Sequence, residues 1–109
     1  MIPRDIKQQI DNYIDEGIPP SAFLYYLLTN QLREAVGHAD DFNKRALYDI
    51  AIYLENYMPN MAWGSTERVE KWLGFHRENP AFIKAAIDYD KLKRATYYER
   101  LRGSDTVDG

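Results

Sequence analysis

Pro3-Arg4-Asp5-Ile6-Lys7-Gln8-Gln9-Ile10-Asp11-Asn12-Tyr13-Ile14-Asp15-Glu16-Gly17 is the stretch that decides the fold. Ile6, Ile10 and Ile14 recur every four residues with Tyr13 beside them, while Asp5, Lys7, Gln8, Asp11 and Asp15 take the other positions. An α-helix returns a side chain to the same face about every 3.6 residues, so this spacing is one apolar stripe on a polar helix. Pro3 suits the start, where its missing N–H has no acceptor within the helix. Gly17 suits the left-handed stop. The stretch predicts an amphipathic helix over 3–16.

The same punctuation continues outward. Pro19-Pro20-Ser21 ends one helix and starts another, whose stripe is Phe23, Leu24, Leu27, Leu28, Leu32 and Ala35. Thr29-Asn30 are poor helix formers and good caps, so that run breaks there. After the interruption 37–40, Asp40 is the expected N-cap of a long central helix over 41–57, with Asn43, Ala46, Leu47, Ile50, Leu54 and Tyr57 inside. Pro59 stops it, Ser65 caps a segment carrying Val69, Trp72 and Leu73, and Gly74 is expected to close that segment. Asn79-Pro80 then starts a last helix, carried by Phe82, Ile83, Ala86, Ile87, Leu92 and Leu101 towards Arg102. No segment alternates with period two and no repeat is present. The expectation is all-α: a compact bundle of four or five helices, one domain over 1–102, and a flexible tail over 103–109.

Composition bounds the function. With 109 residues, 45% hydrophobic and 28% charged, the chain has the balance of a soluble single domain. Its net charge of −3 argues against a protein that coats DNA. No run approaches the length of a membrane span, and no signal-peptide pattern opens the chain. Without Cys there is no disulfide, thiolate metal site or Cys nucleophile. His38 and His76 stand far apart without ligand spacing, and no GxSxG turn or phosphate-cradling glycine loop exists. No cofactor, metal or catalytic residue is expected. The paired acids Asp15-Glu16 and Asp40-Asp41 sit at helix ends, where capping and the helix dipole explain them.

Three features remain as binding candidates. Asn43 falls on the expected buried stripe, and a buried amide needs hydrogen-bond partners. Asp40 and His38 are near enough to supply them and lock the turn; the alternative is a ligand or partner site there. The second feature is aromatic, because nine Tyr, four Phe and two Trp are many for this length. Tyr25-Tyr26 and Tyr97-Tyr98 are adjacent pairs that point about 100° apart on a helix and do not share one core. They serve as core rings, as a protein or self-interface, or as stacking faces for a nucleotide. The third is Trp63-Gly64-Ser65, which anchors a loop or offers a ring and a helix N-terminus to an anion. Charge adds a fourth consideration. Residues 80–102 hold six basic and three acidic residues, whereas 1–79 hold eight and twelve. Lys91, Arg94, Tyr97, Tyr98 and Arg100 of this basic helix either meet an anion or nucleic acid or form an ordinary solvated face with ion pairs.

Gly17-Ile18-Pro19-Pro20-Ser21-Ala22-Phe23-Leu24, Thr29-Asn30-Gln31-Leu32-Arg33-Glu34-Ala35, Ala39-Asp40, Asn43, and Trp63-Gly64-Ser65 with Glu67, Val69 and Trp72 form a further pattern. It resembles a group of small proteins from tailed phages and prophages, with the signature PGxFL, NDLxEA, RADxxN and WGSxExVxxW. The resemblance covers residues 2–73 and leaves out the basic helix. Ser21 replaces the family's Gly, Gln31 its Asp, and His38 its Arg, so an anion contact made by that Arg would weaken here at neutral pH. The resemblance implies a phage or mobile-element origin and a host-cytoplasm setting. It implies no reaction.

The expected function is therefore a non-enzymatic binding protein that counters host defence, by inhibiting an immune protein or sequestering its nucleotide signal. The expected binding residues are Asn30, Arg33, His38, Asp40, Asn43, Trp63 and Ser65, with Tyr25 and Tyr26 as interface groups. Self-association is expected from the aromatic surplus, and no membrane contact. The alternatives are a nucleic-acid or transcription modulator acting through 80–102, or a virion or assembly protein.

Overall fold

In the computed structural model, which describes residues 1–108 and the side chains of all of these except Tyr89 and 103–108, the order is helical throughout. The helices are α1 (Arg4–Glu16), α2 (Ala22–Leu28), α3 (Leu32–His38), α4 (Asp41–Arg45), α5 (Leu47–Tyr57), a 3₁₀ turn (Asn60–Ala62), α6 (Thr66–Glu78), α7 (Pro80–Ala95) and α8 (Tyr97–Asp108). There is no strand among the described residues. The expected tail 103–109 lies outside the described residues for its side chains, and Gly109 lies outside them entirely.

α1 forms as its spacing dictates. Ile6, Ile10, Tyr13 and Ile14 are buried, and Gly17 closes the helix at φ 68° with its N–H on the Tyr13 carbonyl. A Cβ at Gly17 would stand 2.6 Å from the His76 ring, so both the left-handed turn and the close approach require glycine there. Asn30 also takes a left-handed conformation, at φ 63°, and folds α3 back against α2. Thr29 ties that turn, donating to the Tyr25 carbonyl and accepting from Gln31 Nε2.

The elements are shorter and more numerous than the four or five expected. The helix predicted over 41–57 bends at Ala46 (φ −92°, ψ 2°), although the Ala46 N–H still donates to the Phe42 carbonyl at 3.0 Å. The helix predicted over 80–102 bends at Thr96, whose hydroxyl reaches back to the Leu92 and Lys93 carbonyls, a competition that bends helices. Conversely, Gly74 does not close α6. Phe75 and His76 beyond it hold the helix down, Phe75 by packing against the core and His76 Nε2 through a 2.8 Å hydrogen bond with the Ile14 carbonyl. The helix runs on to Glu78, where Asn79 takes over as cap of α7.

α7 touches α1, α5, α6 and α8, and α5 meets α7 and reaches α1 and α8 through Tyr53. Trp72 of α6 is fully buried and donates from Nε1 to the Tyr13 carbonyl, while the Tyr13 hydroxyl donates to the Ala62 carbonyl at 2.6 Å. Tyr13 thus pins α1 to both the 3₁₀ turn and α6. Burial pushes its phenol pKa up, because the phenolate would lose its hydration.

Candidate functional site

Two polar features stand out once the core is in place: a charged cluster in the interior and a groove on the surface. The cluster begins with spacing on α1, where Lys7, Asp11 and Asp15 follow at four-residue intervals beside the isoleucine stripe. Ile83 and Ile87 bury one face of α7, and the same face carries Arg94 inward, 2% exposed. Its Nη2 donates to Asp15 Oδ1 at 2.6 Å, and its Nη1 to Asp15 Oδ2 at 3.2 Å and Asp11 Oδ1 at 3.1 Å. Asp11 also accepts from Lys7 Nζ at 2.6 Å and from the Tyr53 hydroxyl at 3.1 Å. Burial by itself would push the guanidinium pKa down; the hydrogen bonds and charge of Asp15, then of Asp11, outweigh it and hold the pKa up. Burial, with the Asp11 charge behind it, pushes the Tyr53 pKa up as well. The Arg94 Nε–H is buried and finds no acceptor among the described residues. Arg94 is therefore removed from the outward basic face that the sequence suggested. Lys91 and Arg100 remain exposed.

The adjacent tyrosines are used within the molecule. The bend at Thr96 lets Tyr97 pack edge-on against Tyr53, with ring centres 4.9 Å apart. Tyr98 turns the other way, beneath the Arg4 guanidinium at 4.2 Å, and its hydroxyl donates to the Ile2 carbonyl. Two directions about 100° apart are what α8 needs to touch α5 and α1 at once. Tyr25 and Tyr26 are likewise half-buried, with ring centres 5.7 Å apart, and Tyr26 lies against His38. His38 hydrogen-bonds the Glu34 carbonyl and not Asn43. Arg33 and Asn30 are exposed.

Trp63 is half-buried against the core, and the Gly64 N–H donates to the Leu28 carbonyl at 2.7 Å, so this turn is an anchor for α2. Ser65 caps α6 by accepting from the Arg68 N–H. Arg68 Nη1 fills the space beside the turn, donating to the Asn60 and Trp63 carbonyls.

Asn43 and Asp40 lie elsewhere, in the groove. It holds about 450 Å³ between the α4–α5 segment and the first residues of the chain, lined by Met1, Ile2, Pro3, Asp5, Asp40, Phe42, Asn43, Arg45, Ala46 and Asp49. Asp40 caps α4, but through the Asn43 backbone N–H at 2.7 Å. The expected lock of the Asn43 side chain by Asp40 and His38 does not form. Asn43 is 8% exposed, and its carboxamide makes no hydrogen bond among the described residues. Phe42 at the rim is 74% exposed, and Tyr48 on the same segment is 75% exposed. A second lobe of about 300 Å³ continues along α5 between Ile52, Tyr53, Asn56 and Tyr57 and the α8 residues Tyr97, Arg100 and Leu101. The lobes share Met1 and Asp49, joined by a 2.7 Å ion pair between the Met1 amine and Asp49.

The structure thus joins Asp40 and Asn43 and separates them from Trp63, Ser65 and the Tyr25–Tyr26 pair. Sequence reasoning missed Phe42, Asp49 and Asp5 as their neighbours. Phe42 did carry a signal, being a large aromatic off the predicted inner stripe. Among the described residues no group of three or more His, Asp or Glu side chains is placed to hold a metal ion, and no helix is long and apolar enough to cross a membrane.

The chain matches no family model, no curated protein and no solved structure.

Proposed function

We propose that this chain is a non-enzymatic protein-binding domain that engages its partner through the α4–α5 face. The observation that carries the reading is Phe42, three-quarters exposed on the lining of a groove that also holds Ile2, Ala46 and charged side chains, with Tyr48 equally exposed on the same α4–α5 segment. Exposed aromatic rings beside an apolar groove are residues from which protein interfaces draw much of their binding energy once a partner covers them. In the phage setting that the resemblance implies, the partner is a host defence protein in the host cytoplasm, and binding inhibits it.

The groove's charge supports a protein partner over a nucleotide signal. Asp49 is paired with the Met1 amine, and Asp5 and Asp40 outnumber Arg45, so the lining is slightly acidic and would disfavour phosphate. A nucleotide would sit better in the cleft of Asn60, Met61, Arg68, Lys71 and Phe75, although Lys71 is already paired with Glu67 at 3.0 Å. The test is capture of the tagged chain from infected cells, with mass spectrometry of proteins and small molecules, repeated with Phe42→Ala/Tyr48→Ala. One stoichiometric host protein, lost in the double variant, is the expected result. Capture of a nucleotide, of nucleic acid, of virion components or only of the chain's own copies would overturn the reading in favour of sequestration, nucleic-acid modulation, assembly or self-association respectively.

A further inference from the structure

The unpaired Asn43 carboxamide says more about what the groove takes. Asn43 is largely buried, but its carboxamide reaches solvent at the groove wall, so a ligand that displaces that water must supply a donor and an acceptor of its own. Asn43 is more than nine-tenths buried, lines the groove, and has no hydrogen bond from its side chain among the described residues. Its backbone N–H is already used by Asp40, so the capping role is complete without the side chain. The carboxamide retains one C=O acceptor and an NH₂ donor side by side, the complement of a peptide unit's N–H and C=O. Around it stand Asp5, Asp40 and Asp49 against Arg45 and the Met1 amine; Asp49 is paired with that amine at 2.7 Å, so Asp5 and Asp40 against Arg45 leave a small surplus of negative charge within the lobe.

We propose that the groove binds an extended polypeptide segment of the partner. The Asn43 carboxamide holds that segment's backbone, its Lys or Arg side chain lies by Asp5 and Asp40, and an apolar side chain fills the second lobe. The spacing follows from geometry. From Asn43 to Asn56 is at most about 20 Å at 1.5 Å per helical residue, since the bend at Ala46 shortens it, and an extended strand spans that in about six residues or fewer. The second lobe, walled by Ile52, Tyr57, Tyr97 and Leu101, suits a side chain such as Leu or Phe four to six positions from the cation. This inference deepens the protein-binding reading and rests on it only for the use of the same face.

The test is selection of a random decapeptide library displayed on yeast against the intact, labelled chain. Affinities of the selected peptides are then measured by fluorescence polarisation for the wild type, Asn43→Leu and Asp5→Lys. Enriched peptides carry Lys or Arg with an apolar residue four to six positions away. Asn43→Leu weakens them about tenfold, the worth of a pair of hydrogen bonds, while its Tm stays at or above the wild-type value. A merely structural Asn would lower Tm and leave peptide affinity unchanged. Asp5 is exposed, so Asp5→Lys folds whatever happens to Asn43→Leu; it weakens binding and flattens its salt dependence. Selection of acidic or uncharged peptides, of none, or of peptides insensitive to both variants overturns the proposal. Groove-dependent basic peptides in the absence of any host protein partner would sink the defence-inhibitor reading and keep this one. A host partner indifferent to Asp5→Lys would do the reverse.

Discussion

Replacing Arg94 by Met tests whether the interior charge cluster holds α7 on α1. Methionine keeps the length and apolar stem of the side chain but removes all three hydrogen bonds to Asp11 and Asp15. Asp11 keeps Lys7 and the Tyr53 hydroxyl, whereas among the described residues no other side-chain donor to Asp15 remains. Breaking a fully buried pair costs about 3–5 kcal/mol; the two carboxylates retain 22% and 16% exposure, which places the expected loss near the bottom of that range, about 3 kcal/mol. At about 2.1 cal/mol/K of unfolding entropy per residue, a chain of this length loses about 13 °C of Tm for that amount. Urea unfolding followed by far-ultraviolet circular dichroism gives the free energy, and a thermal scan gives Tm. Asp15→Asn in the Arg94→Met background removes the stranded charge and returns about 1–2 kcal/mol, so the two changes together cost less than their sum. Arg94→Lys retains charge without the two-pronged fork and falls between. A loss under about 1 kcal/mol in Arg94→Met, or strict additivity with Asp15→Asn, would refute the idea that these three side chains act as one unit.

Gly17→Ala places a Cβ 2.6 Å from the His76 ring on a left-handed backbone, so a loss of about 2 kcal/mol or more is expected in urea unfolding. Gly74→Ala meets nothing closer than Arg77 at 4.0 Å within a continuous helix, and a gain of about 0.5–1 kcal/mol is expected in the same assay. The pKa values of Tyr13 and Tyr53 are raised in the fold, chiefly by burial, so the native state holds their protons more tightly than the unfolded chain does. Stability from this source is intact below the unfolded phenol value of about 10 and falls as pH rises above it; the urea midpoint should drop between pH 9 and 11, less steeply in Tyr53→Phe, and a flat midpoint would contradict it.

The sequence reveals those helices whose apolar spacing agrees with their punctuation. α1 has three isoleucines at intervals of four, a proline before and a glycine after, and forms with the boundaries that pattern dictates. Gly74 misleads because a glycine signals a stop only when nothing beyond it packs, and Phe75 and His76 do pack. The bends at Ala46 and Thr96 change only one residue's dihedrals each, which no periodicity registers. Arg94 escaped as an interior residue because a charged side chain is ordinarily assigned to solvent. The clue was on another helix, where Asp11 and Asp15 share one face beside the isoleucine stripe. Of the candidate site, Asn43 and Asp40 were legible as an amide on an inner stripe and an acid at a cap. Asp5 and Asp49 were not, since what brings them to the groove is the packing of α1 against distant helices.

The Arg94 cluster joins residues 79 and 83 positions apart, and the Tyr98 hydroxyl reaches Ile2 across 96. Such separations are unusual for so helical a chain, since helical bundles owe their rapid folding to contacts made within a few turns. During synthesis α1 (Arg4–Glu16) emerges well before α7 (Pro80–Ala95). At about 5–20 residues per second that interval is on the order of several seconds. Through it the isoleucine stripe of α1 has the 3₁₀ turn and α6 to rest on, by way of Ala62, Trp72 and His76, while Asp11 and Asp15 wait for the guanidinium that links them. α7 therefore completes a core that earlier helices have begun, and one side chain arriving from far along the chain ties down two carboxylates made long before it.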